Sequence, residues 1–142
     1  MTPFDEQIAE LERLAGKLGR PKKVLLVDDD DVFRESVKLA LESRGKIVRE
    51  AADAIMAIQI VSREQIDLVI TDLRMAGVDG AELIRRLREH FPNGPKTMLL
   101  TGYINDERLS VLVNDPGCAT TILAKPINFQ TLEQYVDLLT RE

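Results

Sequence analysis

The chain has 142 residues, close to a single domain on a scale of roughly 150 residues per domain. With 44% apolar and 30% charged residues it suits a globular protein with one sizeable core, and its net charge of −5 argues against DNA or an anionic membrane as the main partner. The single cysteine, Cys118, excludes an internal disulfide or a Cys-rich zinc site, and no apolar run approaches the roughly 20 residues that cross a bilayer; with no signal-peptide pattern, a cytoplasmic location is expected.

Near the N-terminus, Ile8, Leu11, Ala15 and Leu18 recur at alternating steps of three and four, with charged residues between them. That spacing predicts an amphipathic helix with a seam narrow enough for a coiled coil. A helix this short is marginal alone, so it either packs on its own domain, frays, or serves self-association or linkage. Gly19-Arg20-Pro21 stops it. Residues 1–20 are therefore read as a helical extension and residues 22–142 as the domain proper.

From Val24 onward strands and helices alternate. Val24-Leu25-Leu26-Val27 is a short apolar run rich in branched side chains, the pattern of a strand buried on both faces, and it runs straight into Asp28-Asp29-Asp30-Asp31. Val32–Ser43 reads as a helix with Phe33, Val37, Ala40 and Leu41 inward and Gly45 at its C-cap. Ile47-Val48 suggests a second strand, and Asp53 opens a helix bearing Ile55, Met56, Ile58 and Ile60. Asp67–Asp72 is a third strand that again ends in an acid. Asp79 with Glu82 forms a capping-box pattern for a helix burying Leu83, Ile84 and Leu87 and ending near His90.

Thr97–Thr101 is a fourth strand. The helix after it carries Leu109, Leu112 and Val113 and stops at Asp115-Pro116-Gly117. Thr121–Ala124 is a fifth strand leading into Lys125-Pro126, and Asn128 caps a last helix with Phe129, Leu132, Val136 and Leu139 as its buried stripe. Five strands separated by single helices give an α/β fold, a parallel sheet with helices on both faces.

In such a sheet the carboxyl ends of the strands share one rim, where open α/β sheets place their ligands. Here that rim carries Asp28-Asp29, Asp72, Thr101 and Lys125. Three carboxylates make a site for a hard dication such as Mg²⁺, and a lysine and a hydroxyl can grip an incoming anion. The inventory suits phosphoryl transfer, with an aspartate as acceptor. Asp30 and Asp31 read mainly as helix-capping acids. His90 reads as a cation at a helix C-terminus and Cys118 as a small buried residue.

Val27-Asp28-Asp29-Asp30, Asp72-Leu73-Arg74-Met75 with Asp79-Gly80, Leu100-Thr101-Gly102 and Lys125-Pro126, in that order, resemble the receiver domain of bacterial response regulators, chemotaxis receivers included. The resemblance covers about residues 22–140. It implies a flavodoxin-like sheet of order 2-1-3-4-5. By the resemblance Asp72 is the phospho-acceptor and Asp29 the direct ligand of Mg²⁺ (or Mn²⁺). Asp28 acts as the second acid, and Arg74 gives its main-chain carbonyl to the metal. Thr101 is the switch hydroxyl, and Lys125 pairs with the phosphoryl group beside a typically cis bond to Pro126. The donor is a histidine kinase or histidine phosphotransfer protein, and the output is a downstream protein contact. A homodimer through the N-terminal helix or the output face is a further implication, with no direct role for nucleic acid or membrane. The chain is expected to be a signalling domain rather than an enzyme.

Two positions depart from the family. Ile122 stands where Tyr or Phe is common, so an aromatic ring flip cannot carry the switch, and Ala76 replaces a familiar proline. Arg74 and Tyr103 sit where the family varies residues that tune acyl-phosphate lifetime. A rival reading fits Asp28-Asp29-Asp30-Asp31-Val32 to the start of haloacid-dehalogenase-like phosphatases, with Asp28 as nucleophile and Asp30 as general acid. It leaves Asp72 unexplained and lacks the later acidic strand end that family needs.

Overall fold

The computed structural model describes residues 2–18, 20–110, 112 and 120–141. Its elements run α1 (Pro3–Leu18), β1 (Lys23–Val27), α2 (Asp31–Glu42), β2 (Ile47–Ala51), α3 (Ala54–Arg63), β3 (Leu68–Asp72), α4 (Gly80–His90), β4 (Lys96–Thr101), a 3₁₀ turn (Glu107–Leu109), β5 (Thr121–Ala124) and α5 (Phe129–Leu139). All four strand pairings are parallel, as the strand–helix alternation predicts, and the order is β2-β1-β3-β4-β5, as the family resemblance implies. Val113, the Asp115-Pro116-Gly117 stop, Cys118 and Gly19 lie outside the described residues.

The two-residue alternation of a strand divides the core into layers. Val24 and Leu26 of β1, Leu68 and Ile70 of β3 and Leu100 of β4 face α2 and α5, where they meet Val37, Leu41, Leu132 and Val136. Leu25, Val27 and Val69 face the other way, onto Ala57 and Val61 of α3 and Leu83 and Leu87 of α4. Leu25, Leu68 and Leu99 are fully buried, each contributing about 1.5–3 kcal/mol by removal from water.

Several local expectations change. β2 extends through Arg49-Glu50-Ala51, because an edge strand has room for long charged side chains at its margin. α3 turns Ala54, Ala57 and Val61 to the sheet and leaves Ile55 and Met56 exposed, so small residues carry the close approach. In α5, Leu132 and Val136 are buried while Phe129, expected in the buried stripe, is 41% exposed at the helix's first residue. The capping box of α4 is half made. Asp79 accepts from the Glu82 amide at 2.9 Å, but the Glu82 carboxylate is held by Arg85 and Arg86. Gly45, with φ of 84°, closes α2 in the left-handed conformation its position requires.

α1 stands apart. All of residues 2–14 are exposed, including Phe4, Ile8, Leu11 and Leu14, so this stretch does not pack on the sheet's own helices. The Ala15 and Leu18 side chains of the expected seam lie outside what is described. No helix among the described residues is long and apolar enough to cross a membrane.

Candidate functional site

The same alternation that builds the core aims the site. Asp28 lies two residues beyond Leu26, Asp72 two beyond Ile70, and Lys125 two beyond Leu123, so all three continue the α2/α5 side of the sheet. β1 and β3 are in register at Val27↔Thr71, which brings Asp28 and Asp72 level at adjacent strand ends. The Lys125 ammonium sits between them, 3.3 Å from Asp28 Oδ2 and 3.5 Å from Asp72 Oδ1. It also lies 4.1 Å from the centroid of the Phe33 ring, a cation–π contact that fixes its height above the sheet. The Lys125–Pro126 bond is cis.

Asp28, Asp29 and Asp72 each bring a carboxylate oxygen within 4.8 Å of the others. A Mg²⁺ ion bound at 2.0–2.1 Å separates its oxygen ligands by at most roughly 4.2 Å, so small side-chain adjustments suit this all-oxygen donor set to the ion. Asp28 is buried and its Oδ1 accepts the Asp30 amide at 2.8 Å; Asp29 is exposed. Asp72 Oδ1 accepts the Leu73 amide at 2.9 Å, leaving Oδ2 without a hydrogen bond among the described residues. Burial pushes the Asp72 carboxyl above the usual carboxylate range; the Asp28 charge adds to the rise and Lys125 opposes it.

The four-acid run splits as its chemistry suggests. Asp30 caps α2, its Oδ1 accepting from the Val32 and Phe33 amides at 3.1 Å each, and Asp31 is exposed and paired with Arg34. The phosphatase alternative needs the Asp30 carboxyl as a general acid. Here that carboxylate is committed to starting a helix.

Thr101 ends β4 one residue beyond Leu100, which pairs with Asp72, so it reaches the same rim from the α4 side. It is fully buried, and its Oγ1 accepts the Tyr103 amide at 2.9 Å; its main-chain carbonyl takes the Lys125 amide at 2.8 Å. Ile122 packs beside Leu99, Leu109 and Leu112 under this corner. Arg74 leaves the rim by its side chain, with the guanidinium 3.2 Å from the Tyr103 ring centroid and 3.2 Å from Asp106. Asp106 is held well below the usual carboxylate range by the Arg108 guanidinium and amide, with Arg74 adding to the effect.

Two further residues take part that the sequence did not single out. Asp106 anchors Arg74 from 32 residues away. Arg34 reaches the Asp28 backbone from the first turn of α2. The only signal in the sequence was Arg34 three residues after Asp31; its partner on β2, Glu50, gave none. Gly80, part of a recognised motif, has a steric reason to be glycine: a Cβ there would lie 2.0 Å from the Asp72 carbonyl oxygen.

An open, doubly wound parallel sheet with an acid pair, a third aspartate, a hydroxyl and a lysine at its carboxyl rim defines a class of flavodoxin-like α/β domains. Within that class the chain belongs to the response regulator receiver domain family, whose profile matches residues 24–137. Among relatives, the transcriptional regulatory protein GlrR of Escherichia coli K12 is 34% identical over 119 residues, covering 83% of this chain and 26% of that protein. The sensor kinase CckA of Brucella abortus is 36% identical over 107 residues, covering 72% of this chain and 11% of the kinase. The chain thus spans about a quarter or less of the length of these curated relatives. A response regulator receiver protein from Pseudomonas putida superposes with a TM-score of 0.76 at 30% identity, covering 84% of this chain and 98% of the other.

Proposed function

We propose that this receiver domain accepts a phosphoryl group on Asp72 from a phosphohistidine of a histidine kinase or phosphotransfer protein, and so switches its contacts with a downstream protein. The observation that carries the reading is the lysine ammonium held between two carboxylates at adjacent strand ends, with three carboxylate oxygens within 4.8 Å. Asp72 Oδ2 attacks phosphorus; the new O–P bond forms as the P–N bond breaks, and the imidazole leaves with that electron pair and takes a proton. The Lys125 ammonium neutralises charge on the transferred group. Thr101, whose Oγ1 accepts from Tyr103, keeps its own hydroxyl proton to donate to a phosphoryl oxygen. Asp28, Asp29, Asp72 and the Arg74 main-chain carbonyl would hold Mg²⁺ or Mn²⁺, which would supply further neutralisation of charge on the phosphoryl oxygens. A cytoplasmic location follows from this donor chemistry.

With Ile122 packed in an aliphatic cluster, the switch runs through repacking around Leu99, Leu109 and Leu112 rather than through an aromatic ring. Incubation with acetyl phosphate and Mg²⁺ adds one acid-labile phosphoryl group, read by intact-mass spectrometry. Equal uptake by Asp72→Asn would remove Asp72 as acceptor.

Residues 1–20 are, on the same reading, an extension preceding the receiver domain of 22–142, and the exposed Phe4, Ile8, Leu11 and Leu14 of α1 support self-association or kinase linkage. Light scattering with and without residues 1–20 tests it; an unchanged mass removes the dimer.

A further inference from the structure

The first turn of α2 carries a second cation behind the acid pair. All three guanidinium nitrogens of Arg34 are engaged, each with a different partner. Nη1 donates to the main-chain carbonyl of Asp28 at 2.5 Å, Nη2 to Asp31 Oδ1 at 2.7 Å, and Nε to Glu50 Oε1 on β2 at 3.1 Å. The side chain is 15% exposed, deeply placed for an arginine. Glu50 is itself braced by Lys38 at 3.3 Å.

The geometry has a backbone consequence. The β1–β2 ladder pairs up to Val27↔Ala51, and the Asp28 amide continues it by donating to the Ala51 carbonyl at 3.2 Å. Asp28 lies past the last residue of the β1 strand, and its residue is only 5% exposed. An unpaired buried carbonyl is costly, and Arg34 supplies the donor. The Asp28 backbone is thereby held on both sides, the Val27–Asp28 peptide from β2 through the Asp28 amide and the Asp28–Asp29 peptide from α2 through the Asp28 carbonyl. The Asp28–Asp29 peptide sets the relative direction of the two carboxylates.

We infer that Arg34 is a positioning residue for the metal site: by clamping the Asp28 carbonyl between Asp31 and Glu50 it holds the Asp28–Asp29 pair in the direction a divalent cation needs. The inference rests on the reading of Asp28, Asp29 and Asp72 as the Mg²⁺ site. A planar fork with three separate acceptors is a task lysine cannot copy. Outer groups that orient metal ligands are commonly worth about 10–100-fold in metal affinity.

Electrostatics alone predicts the opposite sign. Removing a cation close to a dication site strengthens binding, so the direction of the change separates positioning from charge. The measurement is the Mg²⁺ dissociation constant by isothermal titration calorimetry on the unphosphorylated protein. Arg34→Gln is expected to weaken Mg²⁺ binding by roughly 10-fold or more. Arg34→Lys recovers little of the loss, and Lys38→Ala, which touches Glu50 but not Asp28, stays within about twofold of the parent, the scale of a surface charge. An unchanged or tighter Kd in folded Arg34→Gln overturns the inference, as does an equal loss in Lys38→Ala. Should Arg34→Gln not fold, Asp31→Ala removes the Nη2 acceptor at an exposed position, and an unchanged Kd there overturns it too. A parent protein that binds no Mg²⁺, or binds it equally well as Asp29→Asn, instead overturns the metal-site reading itself.

Discussion

Lys125 and Asp72 are held 3.5 Å apart at the ends of strands that are not neighbours, β5 and β3, with Asp28 of β1 at 3.3 Å closing the triangle. One ammonium therefore offsets two carboxylates, and on the proposed metal-site reading it would compete with a metal for the same charge. Lys125→Ala is expected to tighten Mg²⁺ binding several-fold, read by calorimetry, because a competitor is gone. The same change slows phosphoryl uptake by roughly 100-fold, the usual cost of removing one preorganised stabiliser of transition-state charge. Uptake at the parental rate would show that Lys125 holds the resting site only.

The raised pKa of Asp72 sets a pH dependence whose sign can be worked out. Burial, with the Asp28 charge, raises the folded-state value above the unfolded one despite Lys125. Folded protein therefore holds the proton more tightly. The corresponding stability is present below the unfolded pKa of about 3.8 and is lost as pH rises through the folded value. At neutral pH the ionised Asp72 is a burden on the metal-free fold. Asp72→Asn, which cannot ionise, is expected to melt above the parent near pH 7 without Mg²⁺, with the gap closing towards pH 4. Added Mg²⁺ stabilises the parent and not the variant. Thermal melts across pH with chelator and with Mg²⁺ read both; a variant less stable at every pH would refute the assignment of strain to that charge.

What could be read from the sequence is what local pattern determines. Short apolar runs ending in Asp28, Asp72, Thr101 and Lys125 gave strands and rim together, because strand alternation carries the core's parity into the site. Caps at Asp30, Asp53, Asp79 and Asn128 were likewise visible, being contacts within three residues. The misses are long-range. Arg34 meets Glu50 16 residues away and Arg74 meets Asp106 32 away, and no spacing encodes either pair. In α3, Ile55 and Met56 point to solvent while Ile58 and Ile60 pack at the core's margin, because the closest helix–sheet approach selects small side chains: Ala57 is fully buried while Ile55 is 65% exposed.

Gly80 joins the α4 N-terminus to the end of β3. Its amide donates to the Leu73 carbonyl at 2.8 Å, and a Cβ would meet the Asp72 carbonyl oxygen at 2.0 Å and the Asp72 carbonyl carbon at 2.9 Å. Both obstacles are backbone, which cannot swing aside as a side-chain tip can. Gly80→Ala is expected to cost about 1–3 kcal/mol in urea unfolding, the range for forced overpacking, and to shift the Asp72 and Leu73 amide resonances. Stability within about 0.5 kcal/mol of the parent, the range of neutral surface changes, would mean that the α4 start retreats freely.

Arg74, two residues after the proposed acceptor Asp72, forms with Tyr103 and Asp106 a cluster that would act as a cover. The guanidinium stacks 3.2 Å from the Tyr103 ring centroid and pairs with Asp106 at 3.2 Å, while Asp106 is also held by Arg108 at 2.8 Å. An exposed cation–π contact contributes about 0.5–1 kcal/mol and an exposed ion pair about as much, so the closed arrangement is favoured by a small margin. Because Asp106 has Arg108 as a second partner, removing Arg74 opens the cover without unfolding the loop. Arg74→Ala is then expected to shorten the lifetime of the phosphorylated protein by about three- to fivefold, the factor that roughly 1 kcal/mol sets in a rate. Tyr103→Ala produces a similar change, and the two substitutions together produce little more than either alone, since they dismantle one contact. Loss of the acid-labile phosphoryl group followed by intact-mass spectrometry gives the rates. A lengthened lifetime in Arg74→Ala would mean that the guanidinium guides water or the donor rather than excluding water.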